Sequence, residues 1–128
     1  MRVKFNVDTA TFDEICNAYV ASLSIGDCNL GYLILQRAAA TDGGHDSGIF
    51  LEYNDADYSG YDLVASCRVS RNRVRVDLSR PFAGLDRVEG FDIGLNIDDP
   101  SYRNFVSGLE KIFRGNSRQL LHIEAEDG

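Results

Sequence analysis

The sequence predicts an α+β fold: an antiparallel sheet of about six to eight strands packed against a late amphipathic helix at about 100–114, with room for a second short N-terminal helix. Three observations carry that expectation. Stretches of alternating apolar and polar residues recur along most of the chain. One stretch near the C-terminus instead repeats its apolar residues at helical spacing. The length, 128 residues, suits a single domain with a core of its own, spanning 1–128.

The elements follow in order. Met1 to Val7 reads as an opening strand, with no apolar segment of the kind a secretory signal needs. Asp8-Thr9-Ala10-Thr11-Phe12-Asp13-Glu14 carries helix-start residues, with Thr11 three before Glu14 as a weak capping box. Ala18 to Ser24 alternates like a strand, and Gly26-Asp27-Cys28-Asn29 has turn composition. Tyr32-Leu33-Ile34-Leu35-Gln36-Arg37 is a nearly continuous apolar run, the pattern of a strand covered on both faces. A Gly-rich loop over Thr41 to Gly48 precedes strand character at Ile49 to Tyr53.

The centre predicts a hairpin. Leu63, Ala65, Cys67 and Val69 alternate with polar residues, as do Val74, Val76 and Leu78, and Arg71-Asn72 joins the two runs. The expected register sets Val69 opposite Val74, Cys67 opposite Val76 and Ala65 opposite Leu78, with Asn72 taking the left-handed conformation. The other face then sets Arg68 opposite Arg75, a like-charge pair that costs stability unless an anion lies between them. Phe91 to Ile97 is a further half-buried strand. Asp99 as N-cap, Pro100 at the first helical position and Gly115 as left-handed stop bracket the helix. Its apolar stripe is Tyr102, Phe105, Val106, Leu109, Ile112 and Phe113. Gln119 to Ile123 closes with a strand, ahead of an acidic tail.

Composition bounds the function. The profile is that of a soluble protein: 44% hydrophobic, 26% charged, and no apolar run near the ~18 residues of a membrane helix. Three cysteines cannot all pair with one another, which suits reduced thiols in a cytoplasm. A net charge of −7 argues against broad nucleic-acid affinity and suits a basic partner.

Motifs for chemistry are sparse. Asp55-Ala56-Asp57-Tyr58-Ser59-Gly60 matches the start of a calcium loop, but Ser66 stands where the bidentate Glu belongs, so an acidic β-turn is the simpler reading. His45, His122, Cys16, Cys28 and Cys67 form no zinc spacing, and Gly43-Gly44 lacks the ending of a phosphate loop. Cys67 suits the inward face of a strand. No cofactor, metal or catalytic group is expected.

Charge is segregated. Ala38 to Cys67 holds six acids (Asp42, Asp46, Glu52, Asp55, Asp57, Asp62) and no Lys or Arg. Arg68 to Arg80 holds five arginines (Arg68, Arg71, Arg73, Arg75, Arg80) against Asp77 alone. Three readings stay open: neutralisation by carboxylates such as Glu52 or Asp92 lying between Arg68 and Arg75; an arginine stripe for nucleic acid or a small anion, as a regulatory domain would carry over 68–80; or acidic loops that, with Tyr53, Tyr58 and Tyr61, dock a basic protein.

The stretch from about Gly31 to Gly115 resembles the bacterial family known as immunity protein ten of the polymorphic-toxin systems. The resemblance rests on Tyr32-Leu33-Ile34-Leu35-Gln36-Arg37, Leu51-Glu52-Tyr53-Asn54, the Ser59-Gly60-Tyr61 turn, the hairpin containing Leu78, the Phe91 to Ile97 strand, and Leu109 to Gly115. Asp62 departs from the small residue, such as glycine, expected after that turn. The resemblance implies a non-enzymatic cytoplasmic antidote that binds a cognate toxin domain and brings no catalytic residues. Tyr32, Gln36, Arg37 and Gly60 are then structural, with Arg37 set against a carboxylate as a fold-specifying pair. Glu52, Asp55, Asp57, Tyr58, Tyr61 and Asp62 are the expected contacts to the toxin, standing in for phosphates if that toxin is a basic nuclease.

Overall fold

A computed structural model describes residues 1–26, 31–39, 48–82, 84 and 86–124. The chain is α+β, with the strands divided between two five-stranded sheets rather than forming one. In chain order the strands are β1 (Arg2–Val7), β2 (Thr9–Ile15), β3 (Ala18–Ser24), β4 (Tyr32–Ala38), β5 (Phe50–Tyr53), β6 (Asp55–Tyr61), β7 (Val64–Ser70), β8 (Arg73–Leu78) and β9 (Gly90–Leu95). Helix α1 (Asp99–Ile112), a 3₁₀ segment (Gly115–Leu120) and β10 (Leu121–Ile123) complete the order. The first sheet runs β1-β9-β8-β7-β10 and is mixed, because β1 pairs parallel with β9 and β10 pairs parallel with β7. The second, β2-β3-β4-β5-β6, is an antiparallel meander.

The expected N-terminal helix is strand β2. Ala10 and Phe12 face inward beside Leu23 and Ala21 of β3, a period-two pattern that outweighs the Thr11/Glu14 capping signal. Cys16 and Asn17 turn the hairpin at φ 51° and 62°, the paired positive φ a type I′ turn requires. The Asp55 to Gly60 segment is likewise a strand, not an acidic turn; the reversal is at Asn54 (φ 59°), and a register shift next to Tyr53 marks the irregular start of β6. The expected turn over 27–29 and the loop over 41–47 lie outside the described residues.

One core cluster draws on both sheets and the helix. Phe91 of β9 meets Tyr53 of β5 at 4.8 Å between ring centres, and Phe5 of β1 meets Tyr53 at 6.2 Å, which joins the sheets. At the other end α1 packs on β2 and β3 through Phe105, Leu109 and Ile112, all fully buried. Gly108 allows that approach: a Cβ there would fall inside the Phe12 ring and 2.8 Å from Phe12 Cβ. The helix runs 99–112, two residues short of the expected end. Its N-cap is Asp98 rather than Asp99; the Asp98 side chain accepts from Ser101 N–H at 2.9 Å, so Asp99 and Pro100 fall inside the first turn. Gly115 is left-handed, at φ 59°, but follows the cap at Phe113 and opens the 3₁₀ segment.

The central hairpin keeps Val69 opposite Val74, Cys67 opposite Val76 and Arg68 opposite Arg75. A bulge between Val64 and Ser66 sets Val64, not Ala65, opposite Leu78 and leaves Ala65 exposed. Asn72 is not among the residues with positive φ, so the Arg71-Asn72 turn needs no left-handed residue. Strand β4 alternates instead of being covered on both faces: Leu33 and Leu35 are buried, whereas Tyr32, Ile34 and Gln36 are half-buried on the outer side.

Candidate functional site

The alternation of β3 to β6 decides which candidate residues share a surface. With Leu23, Leu33, Leu35 and Leu51 turned to the core, the outer face of the second sheet carries two cross-strand rows. One is Thr11, Ser22, Ile34, Glu52 and Ser59; the next is Asp13, Val20, Gln36, Phe50 and Tyr61. The Tyr32 hydroxyl donates to Glu52 Oε2 at 2.6 Å, fixing that carboxylate over the sheet. This hydrogen bond, then burial, then the charges of Glu52 and Asp55, push the Tyr32 phenol up to about 12. Phe50 and Tyr61 stack at 5.3 Å between ring centres, and Tyr61 is 47% exposed, among the most exposed large apolar side chains described. Between these rings and Ala18, Gln36 and Ala38 lies a depression of about 190 Å³, with Cys16 and Asn17 on its lining.

The other expected contacts are distributed along one edge. Asp55 and Asp57 are exposed on β6, the edge strand, where Asp55 Oδ1 accepts from the Asp57 N–H at 2.9 Å. Asp62 is exposed and left-handed at φ 59°, a conformation glycine adopts most freely and Asp tolerates. Its carbonyl accepts from Ser79 Oγ at 2.7 Å and from Arg80. Tyr58 turns the other way, half-buried against Phe82 at 6.3 Å, so it is set apart from the outer face. Gly60 lies on the inner side, where a Cβ would come within 3.2 Å of Leu63 Cδ1. The surface that Glu52, Asp55, Asp57, Tyr61 and Asp62 form is carboxylate-rich with an aromatic centre. Sequence reasoning missed Phe50 and Ile34 as its apolar partners; the alternation of β4 and β5 is the signal that holds them.

Among the described residues, the hydrogen bonds of Arg37 go to backbone carbonyls. Its guanidinium donates to the Ile112 carbonyl at 2.9 Å and the Arg114 carbonyl at 3.4 Å, at the C-terminal end of α1. Arg114 reaches back to the carbonyls of Ala38 and Ala39 at 2.6 and 2.9 Å. The two arginines clasp the end of β4 to the end of the helix, where carbonyls lack intrahelical donors and the dipole favours positive charge. The Gln36-Arg37 pair thus splits: Gln36 lies on the outer row and Arg37 binds the fold together.

The arginines of the 68–80 segment are mostly engaged within the fold. Arg71 donates to Asp99 and the Ile97 carbonyl and lies 5.0 Å from the Tyr102 ring centre. Arg73 pairs with Asp92 at 2.6 Å, Arg75 lies 3.8 Å from Asp77, and Arg80 bonds the Tyr61 and Asp62 carbonyls. Asp92 therefore serves Arg73 rather than sitting between Arg68 and Arg75, and Glu52 is in the other sheet. Cys67 is fully buried, and that burial pushes its thiol up to about 12, which makes it unreactive packing. The calcium-loop position of Ser66 is a strand hydroxyl donating to Asp77 Oδ2 at 2.9 Å. No helix among the described residues is long and apolar enough to cross a membrane.

Compared with models of known protein families and with curated proteins, the chain matches none.

Proposed function

We propose that this chain is an immunity protein, a non-catalytic cytoplasmic inhibitor that binds a bacterial toxin domain and covers its active site or substrate channel. The observation that carries the reading is the outer face of the second sheet. There Glu52, braced by the Tyr32 hydroxyl at 2.6 Å, stands beside the Phe50–Tyr61 pair, with Asp55, Asp57 and Asp62 along the adjoining edge. An exposed aromatic anchor ringed by carboxylates has the anatomy of a protein-docking surface: the rings supply buried area, and the charges steer a cationic partner. A basic nuclease is the toxin class this chemistry fits, because carboxylates can occupy the positions its substrate's phosphates would take. The resemblance over Gly31 to Gly115 supports the same class.

The test is co-expression with the protein encoded by the reading frame immediately upstream, where this reading expects a toxin domain, reading growth and the complex by gel filtration. The wild type is expected to restore growth and co-elute. A Glu52→Lys/Asp57→Lys variant, with Asp62→Asn added to remove charge without straining the left-handed backbone, should associate more slowly and protect less. Failure of the wild type to bind or protect rejects the inhibitor reading; full protection by the folded variant rejects this surface.

A further inference from the structure

We propose that the outer face of the first sheet is a separate binding surface for the phosphodiester backbone of a nucleic acid. Pairing registers place five cationic side chains there, Arg2, Lys4, Arg68, Arg73 and Arg75, against two carboxylates, Asp77 and Asp92; with the exposed Glu124, which continues β10 one step past Ile123 at the edge, the excess is two positive charges. Asp77 and Asp92 are already committed. Asp77 accepts from Arg2 through one oxygen and from Ser66 through the other, and Asp92 pairs with Arg73 at 2.6 Å. Among the described residues Arg68 and Lys4 have no ion pair, and Arg75 has only the 3.8 Å approach to an Asp77 oxygen that Arg2 occupies.

Lys4, Arg75 and Arg68 fall in one cross-strand row, with Asp92, the partner of Arg73, between Lys4 and Arg75 and with His122 at the far end. Four inter-strand steps of ~4.8 Å make the row roughly 19 Å long, enough for several successive phosphates. Arg75 and Arg68 are directly opposed in the register, and an oxyanion held between them would relieve their repulsion. The Asn6 carboxamide lies over Gly94, and a groove of about 220 Å³ lined by Lys4, Asn6, Arg73 and Asp92 lies at one end of the face.

The kind of partner follows from what the face lacks. Phe5, Phe91, Ile93, Val74, Val76, Cys67 and Val69 all point inward, leaving only polar, charged and glycine positions on the cross-strand rows outside. A protein interface needs an apolar anchor at its centre, and this surface has none; a polyanion held by charge alone needs none. The net charge of −7 does not veto this. The acidic edge belongs to the other sheet, and charges farther away than the ~8 Å Debye length are screened at physiological salt.

The test is fluorescence anisotropy with labelled single-stranded DNA and RNA 12-mers from 50 to 200 mM salt. Three phosphate contacts give a log–log salt slope of about −2, so affinity should fall roughly fifteen- to twentyfold across that range, from a Kd on the order of 10⁻⁴–10⁻⁶ M. Arg68→Gln/Arg75→Gln should bind at least tenfold more weakly with a slope near −0.7, by the same count of contacts. Removing a like-charge pair keeps this variant folded, which a thermal melt verifies, while Asp57→Lys on the other sheet should not weaken binding. No binding by the wild type at 50 mM salt, binding unchanged in the double variant, or equal competition by poly-glutamate of matched charge would overturn the proposal.

Discussion

Replacing Arg37 with Met tests the most specific structural claim, that an arginine at the end of β4 caps the end of α1. The side chain keeps its apolar stem but loses its hydrogen bonds to Ile112 O at 2.9 Å and Arg114 O at 3.4 Å. The shorter bond, with a charged donor, contributes ~1.5–3 kcal/mol, and positive charge at a helix C-terminus adds ~0.3–1 kcal/mol. The 3.4 Å bond is long enough to contribute little. A loss of about 2–3 kcal/mol results. Unfolding entropy of ~2.1 cal/mol/K per residue, over 128 residues, is about 0.27 kcal/mol/K, so Tm should fall by roughly 9 °C. Circular dichroism melts measure this directly. Arg37→Lys, which keeps the charge but not the fork, should lie between the two. Pairing Arg37→Met with Arg114→Met should show coupling, since each arginine holds the chain end that the other leaves. A Tm within about 2 °C of wild type for Arg37→Met would refute the clasp as a stabilising element.

Other outcomes follow from the same geometry. Gly108→Ala should destabilise despite the ~1 kcal/mol that helix propensity returns, because the new methyl must displace the Phe12 ring from its contact with Tyr19; a denaturant midpoint shift reads this. The Tyr32 phenol should ionise near 12 by ultraviolet titration and move down toward 10 in Glu52→Gln, with native stability falling as pH rises from 10 to 12. Burial raises the Asp77 carboxyl, but the hydrogen bonds from Ser66 and Arg2 and the charges of Arg2 and Arg75 outweigh it and hold the group below 3.8. Its contribution is therefore complete above the unfolded value and lost as pH falls through the folded one, so Asp77→Asn should destabilise near pH 7 and progressively less in acid. Cys67 should resist alkylation in the native protein and react only on unfolding, by mass spectrometry.

What could be read from the sequence was local. The helix was legible because Tyr102, Phe105, Leu109 and Ile112 repeat at its own period, and the hairpin because Val69/Val74 and Cys67/Val76 alternate across a short turn. The division into two sheets was not, because it depends on parallel pairings between segments distant in the chain, β1 with β9 and β10 with β7, which no local pattern encodes. Thr11 and Glu14 suit a helix start as well as the polar positions of a strand, and only the neighbouring strand β3 decides between them. The acidic and aromatic residues of the candidate surface were visible, but not that Tyr58 turns inward while Phe50 turns out. The bond from Arg37 to the end of α1 was not legible, because sequence displays side chains and hides the backbone carbonyls at a helix end.

The central claim is that the outer face of the second sheet binds a toxin. The most direct measurement is the affinity of the upstream-encoded protein for the wild type, Tyr61→Ala and Arg68→Gln, by titration calorimetry. Tyr61 is 47% exposed, so its truncation spares the fold, while loss of an interface aromatic anchor should weaken binding at least tenfold, about 1.4 kcal/mol. Arg68→Gln, on the other sheet, should bind as the wild type does. Equal affinities for wild type and Tyr61→Ala, with Arg68→Gln impaired, would contradict the account and move the docking surface to the opposite sheet.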